Sequence, residues 1–230
     1  GSGTFSTLCR KYFPGASVKG VEIDEKITRL AREYFGLPES IEVETYDGRA
    51  YLAADKGKYD VIMVDAYQDI TIPFQMSSAE FFTLVKERLK ENGVMVVNLN
   101  MVSDGEGSIN EYLCDTIASV FDYVKIADVP GSTNRELFAY MSEPCEFSGA
   151  PDPGVPERYG DLRFETKMRS VAEDLRLYEG GGLIFTDDKA PVELLGMKVI
   201  DRIISDELSY YRQIYSERGL RGLISDLTGE

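Results

Sequence analysis

The stretch Lys58-Tyr59-Asp60-Val61-Ile62-Met63-Val64-Asp65-Ala66-Tyr67-Gln68-Asp69 decides the fold. Its apolar run, 61–64, stops at an acid, Asp65, and a second acid follows at Asp69. Such a run reads as a strand buried on both faces, of the kind found in parallel sheets. In open parallel sheets ligands lie beyond the carboxyl ends of the strands. Asp65 therefore stands where a bound molecule would meet it. The plainer alternative is a carboxylate that caps the next turn or helix.

Two flanking segments weigh against the plainer alternative. The chain opens Gly1-Ser2-Gly3-Thr4-Phe5-Ser6 and runs into a helical pattern over 7–13, followed by Val18-Lys19-Gly20-Val21-Glu22-Ile23-Asp24, a short strand ending in acids. A small-residue loop at a helix N-terminus lets backbone N–H groups approach a ligand. An acid at the end of the next strand, about 20 residues on, suits the two hydroxyls of a ribose. The third segment, Ile41-Glu42-Val43-Glu44-Thr45-Tyr46-Asp47-Gly48-Arg49, is an alternating strand that delivers Asp47 to the same edge. Glu22, Asp47 and Asp65 thus end three successive strands. Parallel-sheet geometry is expected to gather them in one cleft, with residues 1–4 as its floor.

The composition narrows the chemistry. At 230 residues and 43% hydrophobic content the chain can bury a substantial core. A formal net charge of −15 argues against nucleic acid and favours cationic ligands. No apolar run approaches the ~20 residues that span a membrane, so no membrane association is expected. Cys9, Cys114 and Cys145 form neither a metal spacing nor a disulfide framework, which fits a reducing, cytoplasmic setting. The chain has no histidine. That removes imidazole bases and His-based triads and makes a zinc site a poor fit, so no metal is expected and acid–base work falls to carboxylates, Lys, Tyr or Cys.

Strand and helix alternate through the first part of the sequence. Helices are expected over 25–35, with Ile27, Leu30, Ala31 and Tyr34 on the buried face, and over 49–54, 78–91 and 109–121. Strands are expected over 94–99, 123–127 and 136–141. Ser77 or Ser78 is read as the cap of the third helix and Asn92-Gly93 as its stop. The pattern implies a doubly wound, mostly parallel α/β sheet. A break rich in Pro and Gly covers 143–160, and helices are expected over 164–178 and 191–215. This gives a Rossmann-like nucleoside-binding catalytic domain over 1–142, with 143–230 a loop and helical extension packed on it. Because the sequence opens at the loop itself, the first strand of such a sheet is expected to be missing.

Together these segments resemble the spermidine synthase-like (polyamine aminopropyltransferase) family. The resemblance rests on Gly1-Ser2-Gly3-Thr4, Val21-Glu22-Ile23-Asp24, Asp47-Gly48-Arg49 and Tyr59-Asp60-Val61-Ile62-Met63-Val64-Asp65. Ile72-Pro73 through Glu80-Phe81-Phe82 and Thr186-Asp187-Asp188-Lys189-Ala190-Pro191-Val192-Glu193 extend it. It implies a methyltransferase-type fold, decarboxylated S-adenosylmethionine as co-substrate, a small polyamine such as putrescine as acceptor, and a homodimer. By resemblance Glu22 would hold the ribose and Asp47, beside Gly48, the adenine amino group. Gly1, Gly3 and Thr4 would line the donor, and Asp65 would orient and deprotonate the attacking amine. Two positions depart from the family. Its well-studied synthases carry an acid in the Gly-rich loop, where this chain has Gly3, Thr4 and Phe5. They place a second acid three residues after the catalytic one, where this chain has Gln68, with Asp69 one residue later. Tyr67 and Asp69 stand as candidate amine contacts.

A sulfonium donor is already activated, so the protein need only align an amine and take its proton. Asp65 suits both tasks. An S-adenosylmethionine-dependent methyltransferase could share the loop, Glu22 and Asp47, and a non-catalytic nucleoside-binding homologue is the third reading. Asp187 and Asp188, just before Pro191, are expected to cap the final helix. Tyr210, Tyr211 and Tyr215 are read as packing or interface residues.

Overall fold

A computed structural model describes residues 1–66, 72–100, 107–129, 131–144 and 161–228. The apolar run 61–64 lies in β3 (Tyr59–Val64). It pairs in parallel with β4 (Leu89–Asn100), Val61 against Val94 and Val64 against Val97. Beyond β4 come β6 (Asn134–Tyr140), antiparallel to it, then β5 (Tyr123–Asp128), then the short β7 (Arg176–Leu177), in the order β3-β4-β6-β5-β7. The strands β3, β4 and β5 therefore run one way, and β6 and β7 the other. A separate parallel pair joins β1 (Lys19–Glu22) to β2 (Glu42–Thr45). Among the described residues β1 and β3 do not pair with each other, and each keeps one unpaired edge.

One face of the five-stranded sheet is sealed. Val64, Met95, Val97, Leu99, Val124, Leu137 and Ala139 are buried there in one cluster with Phe81, Phe82 and Val85 of α4 (Ala79–Arg88) and Leu113, Cys114 and Ile117 of α5 (Ile109–Ala118). Side chains alternate across a strand, so this buried set fixes the register of β4 against its neighbours. Truncating a fully buried aromatic such as Phe82 to Ala would cost about 3–5 kcal/mol. The opposite face carries Met63, Val96 and Phe138, all partly covered, and ends in a polar row that belongs to the site.

Local signals set most helix boundaries. The Asp24 side chain accepts from Lys26 N to open α2 (Glu25–Phe35), and Gly36 closes it with φ 68°. Ser78 caps α4 by accepting from Phe81 N. Two expectations need correction. Of the supposed buried face of α2 only Ala31 is buried; Ile27, Leu30 and Tyr34 are 37%, 40% and 68% exposed. A two-stranded sheet is too narrow to cover a whole helical stripe, and Ala31 packs with Leu37 and Ile41. Likewise α4 stops at Arg88 rather than at residue 91. Leu89 is drawn into the core and pairs with Tyr59, and the register then shifts before Val94 pairs with Val61. Asn92-Gly93 thus sits in an irregular stretch of β4, not at a helix stop.

The remaining helices pack onto this frame. The α1 helix (Thr4–Tyr12) meets α6 (Leu162–Asp174) through the stacked rings of Tyr12 and Phe164, 3.9 Å between centroids. Asp161, the cap of α6, accepts from Tyr12 Oη at 2.7 Å and Lys11 Nζ at 3.0 Å. Phe185, fully buried, packs with Ile109 and Val192 and fastens the start of α7 (Val192–Thr228), whose helical backbone is interrupted at Gly219. Among the described residues no helix is long and apolar enough to cross a membrane.

Candidate active site

The site is built where strands end. Gly3 precedes α1 with φ 76°, a left-handed conformation that suits glycine, and a Cβ there would stand 2.7 Å from Leu37 Cδ1. No side chain caps α1, so its first backbone N–H groups remain open to other acceptors. Ser2 Oγ and Thr4 Oγ1 share a hydrogen bond of 2.8 Å at the start of this loop.

Glu22 is the last residue of β1, and its side chain is 19% exposed. Its Oε1 accepts from Asp24 N at 3.2 Å, and its backbone carbonyl accepts from Tyr46 N at 3.1 Å. The second contact stitches the two strand ends together, so Glu22 and Asp47 share one edge. Asp47 opens α3 (Gly48–Ala54), its Oδ1 accepting from Ala50 N at 2.8 Å. It is therefore a helix cap as well as a candidate ligand contact. Gly48 lies next to Met76; a Cβ on it would be 3.5 Å from Met76 Cε.

Asp65 follows the last residue of β3 and is exposed. Its Oδ1 accepts from Asn98 Nδ2 of β4 at 3.2 Å. Asn98 in turn stands directly opposite Glu136 of β6. Asp65, Asn98 and Glu136 thus form a polar row across three adjacent strands on one face. Glu136 Oε2 is wholly buried without a hydrogen-bond partner. Burial, followed by the charge of Asp65, pushes the Glu136 carboxyl up to about 7. Glu136 is not one of the strand-end acids; its local signal in the sequence is an acid that opens the apolar run Leu137-Phe138-Ala139-Tyr140. Tyr67, Gln68 and Asp69 lie outside the described residues.

Gln75 and Met76 lie at the Asp47 edge. Arg49 Nη1 donates to Gln75 O at 2.9 Å, beside the Met76–Gly48 approach. Arg49 also pairs with Asp187, which accepts from Ser78 Oγ at 2.5 Å. Asp187 was expected to cap the final helix; instead the buried Ser78 and the Arg49 fork capture it, and it holds the 186–189 turn against the start of α3. Arg49 keeps its carboxyl below the ordinary carboxylate range.

Sheet order, the Gly3 loop and acids at the ends of β1 and β3 define a Rossmann-like α/β domain of the methyltransferase type. The family model "Spermine/spermidine synthase domain" matches residues 6–138, and the chain belongs to that family. A "Probable polyamine aminopropyl transferase" of Bifidobacterium longum is 53% identical over 97% of this chain and 53% of its own length. The chain spans about half the length of the curated relatives it matches. Among solved structures, a probable spermidine synthase from Corynebacterium glutamicum superposes with a TM-score of 0.57 at 19% identity, covering 80% of this chain and 70% of that one. Human methyltransferase-like protein 13 in complex with SAH gives a TM-score of 0.57 at 23% identity, covering 78% and 81%. At these identities the two structures speak for the fold.

Proposed function

We propose that this domain transfers an aminopropyl group from decarboxylated S-adenosylmethionine to a polyamine such as putrescine. The observation that carries the reading is Asp65, an exposed carboxylate just past β3, in a chain without histidine and in a family of aminopropyl-transferring relatives. Glu22 would hold the ribose hydroxyls, Asp47 the adenine amino group, and residues 1–4 the face of the donor. The acceptor nitrogen attacks the propyl carbon bonded to sulfur. The carbon–sulfur bond breaks, its electron pair stays on sulfur, and methylthioadenosine leaves as a neutral thioether. The nitrogen becomes cationic as the bond forms, and Asp65 receives its proton. An alkylammonium with a pKa near that of lysine, ~10.4, needs such a partner at neutral pH. Tyr67 and Asp69 are further amine contacts in this reading.

Methyl transfer from intact S-adenosylmethionine is the second reading, favoured by the missing acid in the loop. Intact donor carries a carboxylate there that an acid would repel, whereas Gly3, Thr4 and Phe5 would not. Incubation with both donors and a panel of diamines, triamines and agmatine decides between them. Methylthioadenosine marks aminopropyl transfer and S-adenosylhomocysteine marks methyl transfer. Binding of methylthioadenosine with neither product would identify a non-catalytic nucleoside-binding homologue. The reading also includes a cytoplasmic homodimer. The exposed apolar residues Met197, Ile200, Ile204, Leu208 and Tyr215 along α7 support self-association, which sedimentation velocity would test.

A further inference from the structure

We propose that Glu136 is the second carboxylate of the amine subsite, holding the distal ammonium of a diamine acceptor while Asp65 faces the attacking nitrogen. The inference deepens the assignment of Asp65 made above and rests on it.

Three observations lead there. Asp65, Asn98 and Glu136 lie in one row on one face of β3, β4 and β6, with Asn98 bonded to Asp65 and directly opposite Glu136. Glu136 Oε2 is stripped of water yet has no donor, a costly arrangement for a carboxylate unless a ligand completes it. Along this row Glu136 is the one carboxylate besides Asp65 among the described residues, so it is the group within reach of a second charge on the amine. Asp65 and Glu136 stand two strands apart, about 10 Å between backbones. The longer Glu136 side chain closes part of that span, and an extended four-carbon diamine suits the remainder.

The electrostatics agree. Asp65 is the charged group whose field acts on Glu136 among the described residues, and it is repulsive. Lys125 of β5 stands one row away on the same face, opposite Phe138, and Ala127 occupies the Glu136 row. Arg135 and Arg176 each pair with Asp128, away from this face. Two crowded carboxylates, one of them retaining its proton near neutral pH, would bind a dication and release that proton.

Calorimetry on the full chain tests this with 1,4-diaminobutane as probe, in the presence of saturating methylthioadenosine. Glu136→Gln keeps the shape and removes the charge. It should weaken the diamine by roughly 10-fold or more, the scale of one charge-assisted contact. Methylthioadenosine affinity and the thermal midpoint should not fall. In the wild type the heat of diamine binding near pH 7 should vary with the ionisation enthalpy of the buffer, reporting proton release, and the variant should lose that dependence. Equal diamine affinity in the two proteins, or no diamine binding by the wild type, would overturn the assignment. The transfer reading fails separately, if diamine binding depends on Glu136 but no methylthioadenosine forms from the decarboxylated donor.

Discussion

Arg49 and Asp187, 138 positions apart, form a two-pronged ion pair: Nη1 donates to Oδ1 at 2.7 Å and Nη2 to Oδ2 at 2.6 Å. Planar guanidinium and carboxylate groups match in this geometry, which fixes direction as well as distance. Because Arg49 sits in the first turn of α3, next to Asp47 and Gly48, the pair ties the 186–189 turn to the candidate nucleoside edge.

Asp187→Asn should therefore destabilise the fold modestly. Asp187 is 42% exposed, so solvent screening holds the effect to about 1 kcal/mol, a fall in thermal midpoint of about 2–4 °C for a domain of this size. The sign with pH follows from linkage. The folded carboxyl lies below its ordinary value of 3.8, so its stabilisation is present at neutral pH and is lost as pH falls below about 4. Melting curves of the two proteins should differ at pH 7 and draw together as the pH falls below the ordinary carboxylate range.

Asp47 serves two candidate roles that a pair of substitutions separates. Asn caps a helix as well as Asp does, whereas Ala loses about 1 kcal/mol. Asp47→Asn should keep the melting temperature yet weaken methylthioadenosine by roughly 10-fold, as expected for a lost charged contact. Asp47→Ala should lose both. Normal nucleoside affinity in Asp47→Asn would leave Asp47 a cap and nothing more.

Gly3→Ala should be poorly tolerated. A side chain at φ 76° costs about 1–2 kcal/mol, and its Cβ would meet Leu37 Cδ1 at 2.7 Å. Urea denaturation should register that loss, and methylthioadenosine binding should weaken as the loop shifts. A variant with wild-type stability and affinity would remove the loop from the site.

Much of the fold was legible because local chemistry agreed with the final structure. The helical pattern at 25–35 became α2 and the apolar run at 61–64 became β3, although Val61 is 48% exposed, so that strand is not buried on both faces as its composition suggested. What local pattern could not supply was the partner of each surface. Ile27, Leu30 and Tyr34 have helical spacing whether or not a sheet lies beneath them, and here it is too narrow. Asn92-Gly93 marks a break in regular backbone but does not say whether that break ends a helix or disturbs a strand. The site split along the same line. Glu22, Asp47 and Asp65 were visible as strand-end acids. Glu136 was not, because its meaning depends on β6 lying antiparallel to β4 and placing it opposite Asn98. The capture of Asp187 by Arg49 likewise depends on a contact between distant segments.

In the proposed mechanism Asp65 takes the proton of the attacking amine during aminopropyl transfer. Its direct test is the rate of methylthioadenosine formation from decarboxylated S-adenosylmethionine and putrescine, measured for the wild type and Asp65→Asn alongside their methylthioadenosine affinities. Asp65→Asn should lower kcat by roughly 100-fold or more, the usual scale for a positioned proton acceptor, with nucleoside affinity essentially unchanged. Near wild-type turnover in Asp65→Asn would contradict it.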